Sequence, residues 1–425
     1  MERTMIGESF GKKGGVLLNG WINTIRKGKD KIFILLRDST GIIQCVVSSD
    51  KPFFTDIDKL GVESSIELTG VVNKDDRAPG GAEVIVSTLN VIHSAERYPI
   101  IRDKSTELLM DLRHLWVRDP QLTNVWKVRS EFFRGVREYF YKNKFYEVTG
   151  PVLVGTKGEE GGELFSLKYF GDTAYLSQTD QMHLEAMIFS LEKVYSLMPS
   201  FRAEKSRTTK HLTEFWHLEA EEAWTHLDGC LKTVEGVLSY GIKSVLKTCR
   251  PELEALKVNV KELDAIKAPF KRITYTQAIT KLQEKGLKIE FGDDIKTDGE
   301  KLLTEDLKAP MFITHWPRKI KAFYMKVSDK DPELVECADL QAPRGFGEIV
   351  GGSERETDIN VITQNLKKEG DNPKKYDWYL DLRRYGSVPH SGFGLGTERV
   401  IRWLCNLEHI RDATPFPRFI NRLKP

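Results

Sequence analysis

Basic side chains in two separated stretches of this chain could converge on a polyphosphate. Arg202, Arg207, Lys210 and His211 lie in VYSLMPSFRAEKSRTTKHLTEFWHLEAEEA, and Arg399 lies in SGFGLGTERVIR. The first stretch reads as two strands joined by a basic loop. Strand alternation delivers Arg202 and Glu204 to one face, and likewise His217, Glu219 and Glu221 on the returning strand. An arginine there can pair in bidentate fashion with a phosphate or carboxylate. Ionisable groups in a row on an otherwise apolar strand are costly to bury without partners, so the pattern points to a site. The second stretch reads as a glycine-rich strand entering a helix. Its alternating glycines clear one strand face, so that a flat ring can lie on the backbone, with Arg399 placed to stack on it or reach a phosphate. No G-x-x-x-x-G-K-[ST] occurs, so a phosphate site here is not a P-loop. GFGLG also lacks the spacing of a dinucleotide fingerprint.

A third stretch, CADLQAPRGFGEIVGGSERE, carries Asp339 and Glu348. Paired carboxylates can hold Mg²⁺ between phosphate oxygens. Gly351-Gly352 permits close approach, and Arg355 follows. Taken alone, the stretch reads equally as a polar turn with surface charges.

The elements that must position these groups follow from apolar patterning. Residues 16 to 92 look all-β, with runs at Val16–Ile25, Lys31–Arg37, Ile42–Val47, Ile66–Val72 and Val84–Val91, and a breaker at Ala78-Pro79-Gly80-Gly81. Five short strands at this spacing suggest a small barrel. Residues 97–120 read as a linker. A helix is expected over about Asn124–Asn143, where Val128, Phe132, Val136 and Phe140 fall on one face. Strands dominate Val152–Ala223, with one helix near Asp180–Ser190. The Lys- and Glu-rich stretch 225–310 reads as a helical connecting or inserted element with a weak core. Strands resume at Met311–Val327 and Gly347–Val350, and a helix closes the set over about Glu398–Leu407.

The chain has 425 residues, long enough for two or three domains. With 64 basic and 62 acidic residues, any nucleic-acid contact must come from local patches. Cys45, Cys230, Cys249, Cys337 and Cys405 form no C-x-x-C pair, which argues against a zinc site or disulfide framework and suits a reducing compartment. No apolar run approaches a membrane span, and the N-terminus lacks a signal-peptide core, so the cytoplasm is the expected location.

FRAE, the basic loop, HLEAEEA and GFGLGTER together resemble motifs 2 and 3 of the class II aminoacyl-tRNA synthetases. The helix ending near Gly150-Pro151 resembles motif 1, the dimer element of that class. The β-rich N-terminus resembles the OB-fold anticodon-binding domain of the aspartate, asparagine and lysine subgroup. FRAEKSRTTKHLTEFWHLEAE and RRYGSVPHSGFGLG resemble the asparagine-specific branch, of the compact archaeal and eukaryotic-cytosolic kind. The resemblance implies an α+β fold: an OB barrel over 1–96, a linker over 97–120, and a class II catalytic domain over 121–425 with a mostly antiparallel sheet flanked by helices. It implies an ATP-dependent ligase that forms asparaginyl-adenylate and charges tRNA(Asn), as a homodimer, with Mg²⁺ accompanying ATP. Rival readings are an aspartyl enzyme, an asparagine synthetase on the same core, and a non-catalytic RNA-binding paralogue. Leu184, where aspartyl enzymes carry a lysine, speaks against the first; the barrel speaks against the second; intact Arg202 and Arg399 speak against the third.

By that resemblance Arg202 bridges the amino-acid carboxylate and the α-phosphate, and Arg399 holds the γ-phosphate of a bent ATP. Glu204 contacts the adenine, and Lys210, His211 and Leu212 border the nucleotide, with Lys210 standing where the family usually has arginine. Gly394 and Gly396 floor the nucleotide site. Glu348, with Asp339, binds Mg²⁺; Gly351 stands where aspartyl relatives often add a serine. For the amino acid, Glu159 or its neighbour Glu160 meets the ammonium, and Gln178 and Gln181 line the pocket. Glu185 accepts from the carboxamide NH₂ and Arg355 donates to its oxygen. On the barrel, Phe33 and Gln44 resemble the pair that stacks on and reads the central anticodon uridine, Glu83 the acidic partner, and Arg26 a backbone contact.

Overall fold

The computed structural model describes residues 1–12, 14–100, 105–156, 158, 163–205 and 208–425. The chain divides into two compact units, Met1–Leu112 and Arg113–Pro425.

In the first unit, β1 (Gly15–Lys27), β2 (Lys31–Arg37), β3 (Ile42–Ser48), β4 (Ser65–Lys74) and β5 (Ala82–His93) close a barrel in the order β1-β2-β3-β5-β4. Alternation fills it: Ile32, Ile34 and Leu36 of β2 and Ile43, Cys45 and Val47 of β3 point inward and are fully buried. Their neighbours in sequence face out. Gly70 is required by closure, since a Cβ there would sit 2.4 Å from the carbonyl oxygen of Ile85.

The second unit is built on an eight-stranded sheet. Its strands are β6 (Tyr146–Glu147), β10 (Lys193–Phe201), β11 (Glu214–Ala223), β12 (Lys271–Thr274), β13 (Met311–Thr314), β14 (Cys337–Ala342), β15 (Gly347–Glu354) and β16 (His390–Gly396). They run in the order β12-β13-β14-β15-β16-β11-β10-β6, antiparallel except at the two edges. A small sheet of β7 (Leu153–Val154), β8 (Ser166–Tyr169) and β9 (Asp172–Leu176) lies apart from it.

The helix Pro120–Lys142 begins earlier than its apolar stripe, because the Asp119 side chain accepts from the Gln121 N–H and Pro120 occupies the first turn. The stretch 97–120 holds two short helices, Thr106–Asp111 and Arg113–Trp116. The stretch 225–310 departs most from expectation. Its helix Leu227–Thr248 is part of the main core, burying Leu231, Val234, Leu238, Ile242 and Val245 against Val128, Phe132 and Phe140. Gly241 faces Phe132, whose ring would lie 2.4 Å from a Cβ there. β12 of the same stretch extends the sheet. The expected strand Met311–Val327 ends at Thr314, because His315 adopts φ 57° and Pro317 follows. Cys337–Ala342 is a buried strand, not a polar turn, paired on both sides.

Candidate active site

β11 is central, hydrogen-bonded to β10 and β16. Its return from β10 carries the basic loop, and its inward residues face a cavity of about 230 Å³. Arg202, Glu204, Lys210, His211, Leu212, Asp339, Glu348, Gly394, Gly396 and Arg399 all line this cavity, as do Gln181 and Arg355. Two arginines from distant stretches therefore share one space. Glu159, Glu160 and Arg207 lie outside the described residues.

One end of the cavity is an electrostatic cradle. The Arg399 guanidinium donates to the Glu348 carbonyl at 3.2 Å and to its Oε1 at 3.3 Å. Burial pushes the Glu348 carboxyl up, but Arg399, Lys321, Lys210 and Arg202 more than offset this and hold it below the usual range. Burial, then Arg399, Lys210 and Arg202, lower the His211 imidazole to about 4, so it is neutral at pH 7. Such a cluster of cations around one space is suited to a polyanion. Asp339 and Glu348 flank one point: a Cβ on Gly351 would lie 3.6 Å from Asp339 Oδ1 and 3.9 Å from Glu348 Oε1. Asp339 is raised to about 6, first by burial and, against the opposing pull of Lys321, by the Glu348 charge. The geometry and mutual repulsion of these oxygen ligands suit a divalent cation between them. Lys321, which carries no motif, donates to Asp339 Oδ2 at 2.6 Å and lines the same wall. Arg202 lies 5.3 Å from the centre of the Phe215 ring, which supports its guanidinium plane.

The other end holds buried polar groups. Thr179 and the Asp180 N–H donate to the two oxygens of Glu219, the latter at 2.7 Å. Arg355 spends its Nε and Nη2 on Glu221 and its Nη1 on Ser353 Oγ at 2.7 Å. Gln178 is buried, and among the described residues neither polar atom of its side chain has a partner. It does not line the cavity.

Glu185 corrects the expectation placed on it. It is fully buried and set back from the cavity, and its oxygens are taken within the protein. Gln181 Nε2 donates at 3.0 Å, Tyr379 at 2.8 Å, Arg383 at 2.7 Å and His390 Nε2 bonds at 3.0 Å. Burial alone would raise this carboxyl; Arg383 and His390 more than offset it and hold it well below the usual range. The i,i+4 spacing on the helix Gln181–Leu191 explains its bond to Gln181. Arg383 and His390 are far away in sequence, and only the fold brings them in.

The glycines of β16 are also used differently from expectation. A Cβ on Gly392 would lie 2.2 Å from Glu221 Oε1, and one on Gly394 would lie 2.5 Å from His217 Nε2. They seat the ionisable row of β11, while Gly394 and Gly396 still line the cavity.

On the barrel, Phe33 lies on the outward face of β2, half-exposed, in register with Arg26 and Val46. Gln44 is in register with Glu83 and donates to its Oε2 at 2.9 Å. Arg26 and Phe33 are thus paired on the barrel's outward face, and Gln44 and Glu83 form a buried pair on the neighbouring strands β3 and β5.

A barrel of this order and an antiparallel sheet with motif arginines converging on one cavity define a class II synthetase architecture. A family model of class II tRNA synthetases (D, K and N) matches residues 105–420, and one of OB-fold nucleic acid binding domains matches residues 16–92. The asparagine–tRNA ligase of Thermococcus gammatolerans is 49% identical over 98% of this chain and 97% of its own length. That of Thermoplasma acidophilum is 42% identical over 96% of each. The crystal structure of asparaginyl-tRNA synthetase from Pyrococcus horikoshii complexed with asparaginyl-adenylate superposes with a TM-score of 0.96 at 47% identity, covering 100% of both chains. The aspartyl-tRNA synthetase of Entamoeba histolytica gives 0.86 at 25% identity, covering 100% of this chain and 93% of its own. The chain belongs to the asparaginyl-tRNA synthetase family.

Proposed function

We propose that this chain joins L-asparagine to tRNA(Asn) in two steps. The asparagine carboxylate attacks the α-phosphorus of ATP, giving asparaginyl-adenylate and pyrophosphate. The terminal adenosine of the tRNA then takes the acyl group and AMP leaves. The observation that carries this reading is the single cavity shared by Arg202, Lys210, His211, Glu348 and Arg399 at one end and by Gln181 and Arg355 at the other.

No protein nucleophile is required. Positioning and fixed charge supply the rate. Arg202 bridges the reacting carboxylate and α-phosphate, where charge builds up in the transition state. Arg399 holds the far phosphate, and Glu204 and Leu212 border the base. Asp339 and Glu348 would hold Mg²⁺, which would supply positive charge to the phosphates.

Selectivity rests on the Arg355–Glu221 pair. Arg355 lines the cavity and donates to the carboxamide oxygen, and Glu221 behind it already pairs with the guanidinium, so a carboxylate side chain meets no uncompensated cation. Such polar matching can discriminate by roughly 10⁴-fold. Gln181 orients the amino acid, and Glu185 acts through Gln181. Gln178 adjoins Thr179 of the cavity wall, and its side-chain amide, without a partner among the described residues, turns to the amino acid when it binds; Glu159 or Glu160 meets the ammonium. Phe33 stacks on an anticodon base, Gln44 reads its edge with Glu83 fixing the amide, and Arg26 meets backbone phosphate. The chain works as a homodimer in the cytoplasm; Tyr141 and Tyr146, both exposed, lie on the segment resembling the dimer element. Among the described residues, no helix is long and apolar enough to cross a membrane.

Pyrophosphate exchange tests the reading. Exchange dependent on asparagine supports it; exchange only with aspartate, or with neither amino acid, overturns it.

A further inference from the structure

Lys210 is held by a residue that no motif marks. Its ammonium donates to Glu300 Oε2, and both side chains are buried, at 7% and 5% exposure. Glu300 lies on the helix Thr297–Thr304, within the stretch that reads from sequence as a mere connector. It does not line the cavity, whereas Lys210 does. The helix is fixed to the β14–β15 turn, where the Arg344 N–H donates to the Thr304 carbonyl at 2.7 Å. Gly347 makes room for the carboxylate: it has φ 80°, and a Cβ there would lie 2.5 Å from Glu300 Oε2. The backbone is thus shaped around Glu300.

The physical need for such a partner is clear. Lys210 shares its wall with Arg399 and Arg202, both close enough to act on His211 alongside it. Like charges repel, and a flexible lysine stem loses much rotamer freedom when it is held in one place. Without a counter-ion, a buried ammonium beside two guanidinium groups would swing into solvent. An arginine in its place has a planar, preorganised and permanently charged head, and needs such pinning less.

We propose that Glu300 is a positioning residue for the nucleotide: by pairing with Lys210 it keeps the ammonium on the cavity wall, where it meets the phosphate end of ATP. The proposal rests on the reading of the cavity as the ATP site. It makes a prediction of opposite sign to simple charge counting. Removing a carboxylate near a polyanion should tighten binding by Coulomb attraction alone. Loss of a pinned lysine should weaken it.

The test is titration calorimetry of the full chain with α,β-methylene-ATP and Mg²⁺, without amino acid. Glu300→Gln and Lys210→Met should each weaken binding by about tenfold, the scale of one charge-assisted contact. The double variant should be no weaker than either single one, because both remove one unit. Lys210→Arg placed in the Glu300→Gln background should restore binding to within about threefold, since the planar head is preorganised. Asparagine affinity should stay within about twofold throughout, because the pair lies at the phosphate end. Tighter nucleotide binding in Glu300→Gln would make Glu300 a competitor for Lys210 and overturn the proposal. So would losses that multiply in the double variant, a failed rescue, or a parallel fall in asparagine affinity. If Glu300→Gln does not fold, Glu300→Asp gives the same reading with a shortened reach. Failure of the unaltered chain to bind the analogue would instead overturn the reading of the cavity itself.

Discussion

The side-chain amide of Gln181 donates to Glu185 across 3.0 Å, joining a residue of the cavity wall to a carboxylate set behind it. Glu185 in turn receives Arg383, Tyr379 and His390. The pocket glutamine is therefore oriented by a charged network that never reaches the cavity. Glu185→Ala should cost about 3–5 kcal/mol in chemical denaturation, because Arg383 keeps a buried charge without its partner. Glu185→Gln keeps the shape and part of the bonding. It should raise the asparagine KM about tenfold, the worth of one hydrogen bond to a charged group, with the ATP KM unchanged in pyrophosphate exchange. An unaltered asparagine KM would mean that Gln181 needs no such support.

His211 is held neutral by burial and by surrounding cations, near a pKa of about 4. A bound triphosphate adds negative charge beside it and must raise that value. Nucleotide binding near pH 5 should therefore be accompanied by proton uptake that fades by pH 8. Calorimetry in buffers of different ionisation enthalpy reads this directly. His211→Asn should abolish the uptake; uptake that persists in this variant belongs to another group.

Phe33 is half-exposed on the barrel's outer face, and the barrel closes around Ile32 and Ile34 without it. Base stacking on an aromatic ring contributes about 1–3 kcal/mol. Phe33→Ala should then raise the KM for tRNA by about tenfold or more, while pyrophosphate exchange continues at the normal rate. Equal losses in both assays would make Phe33 a structural residue.

How far the sequence reaches depends on whether chemistry and spacing coincide. Arg202, Glu204 and Arg399 sit in dense local patterns and do line one cavity, but strand alternation is not what places the first two: β10 ends at Phe201, and Arg202 and Glu204 reach the cavity from the loop beyond it. The barrel was legible because five alternating runs leave little choice of fold. Glu300 and Lys321 were not legible. Each is one of several charges in an ordinary-looking segment, and its partner is supplied only by tertiary packing. The stretch holding Leu227–Thr248 was legible as helical, but its charged residues masked its place in the main core, although its buried positions recur at helical spacing. Glu185 shows a subtler failure. The resemblance pointed to its place beside Leu184, but whether its carboxylate faces the ligand or supports Gln181 from behind depends on Arg383 and His390, which arrive from elsewhere.

Asp180 gives the stability of the fold a distinct pH dependence. It is buried, its Oδ2 accepts the Gly150 N–H at 3.0 Å, and its own N–H donates to Glu219. Burial first, and the Glu219 charge second, raise its carboxyl from 3.8 to about 7. A raised acid binds its proton more tightly in the folded state than in the unfolded chain. Its contribution is therefore fully present below about pH 4 and is lost as pH rises towards 7. Glu219 is raised in the same direction, by burial, so its contribution has the same sign. Asp180→Asn removes the titration while keeping an acceptor for Gly150. At about 1.4 kcal/mol per pH unit, the stability of Asp180→Asn relative to the unaltered chain should grow by about 2–3 kcal/mol between pH 5 and pH 8. Urea denaturation at the two pH values measures the difference. A constant gap would show that Asp180 stays ionised across the range, and that the Gly150 N–H outweighs its burial beside Glu219.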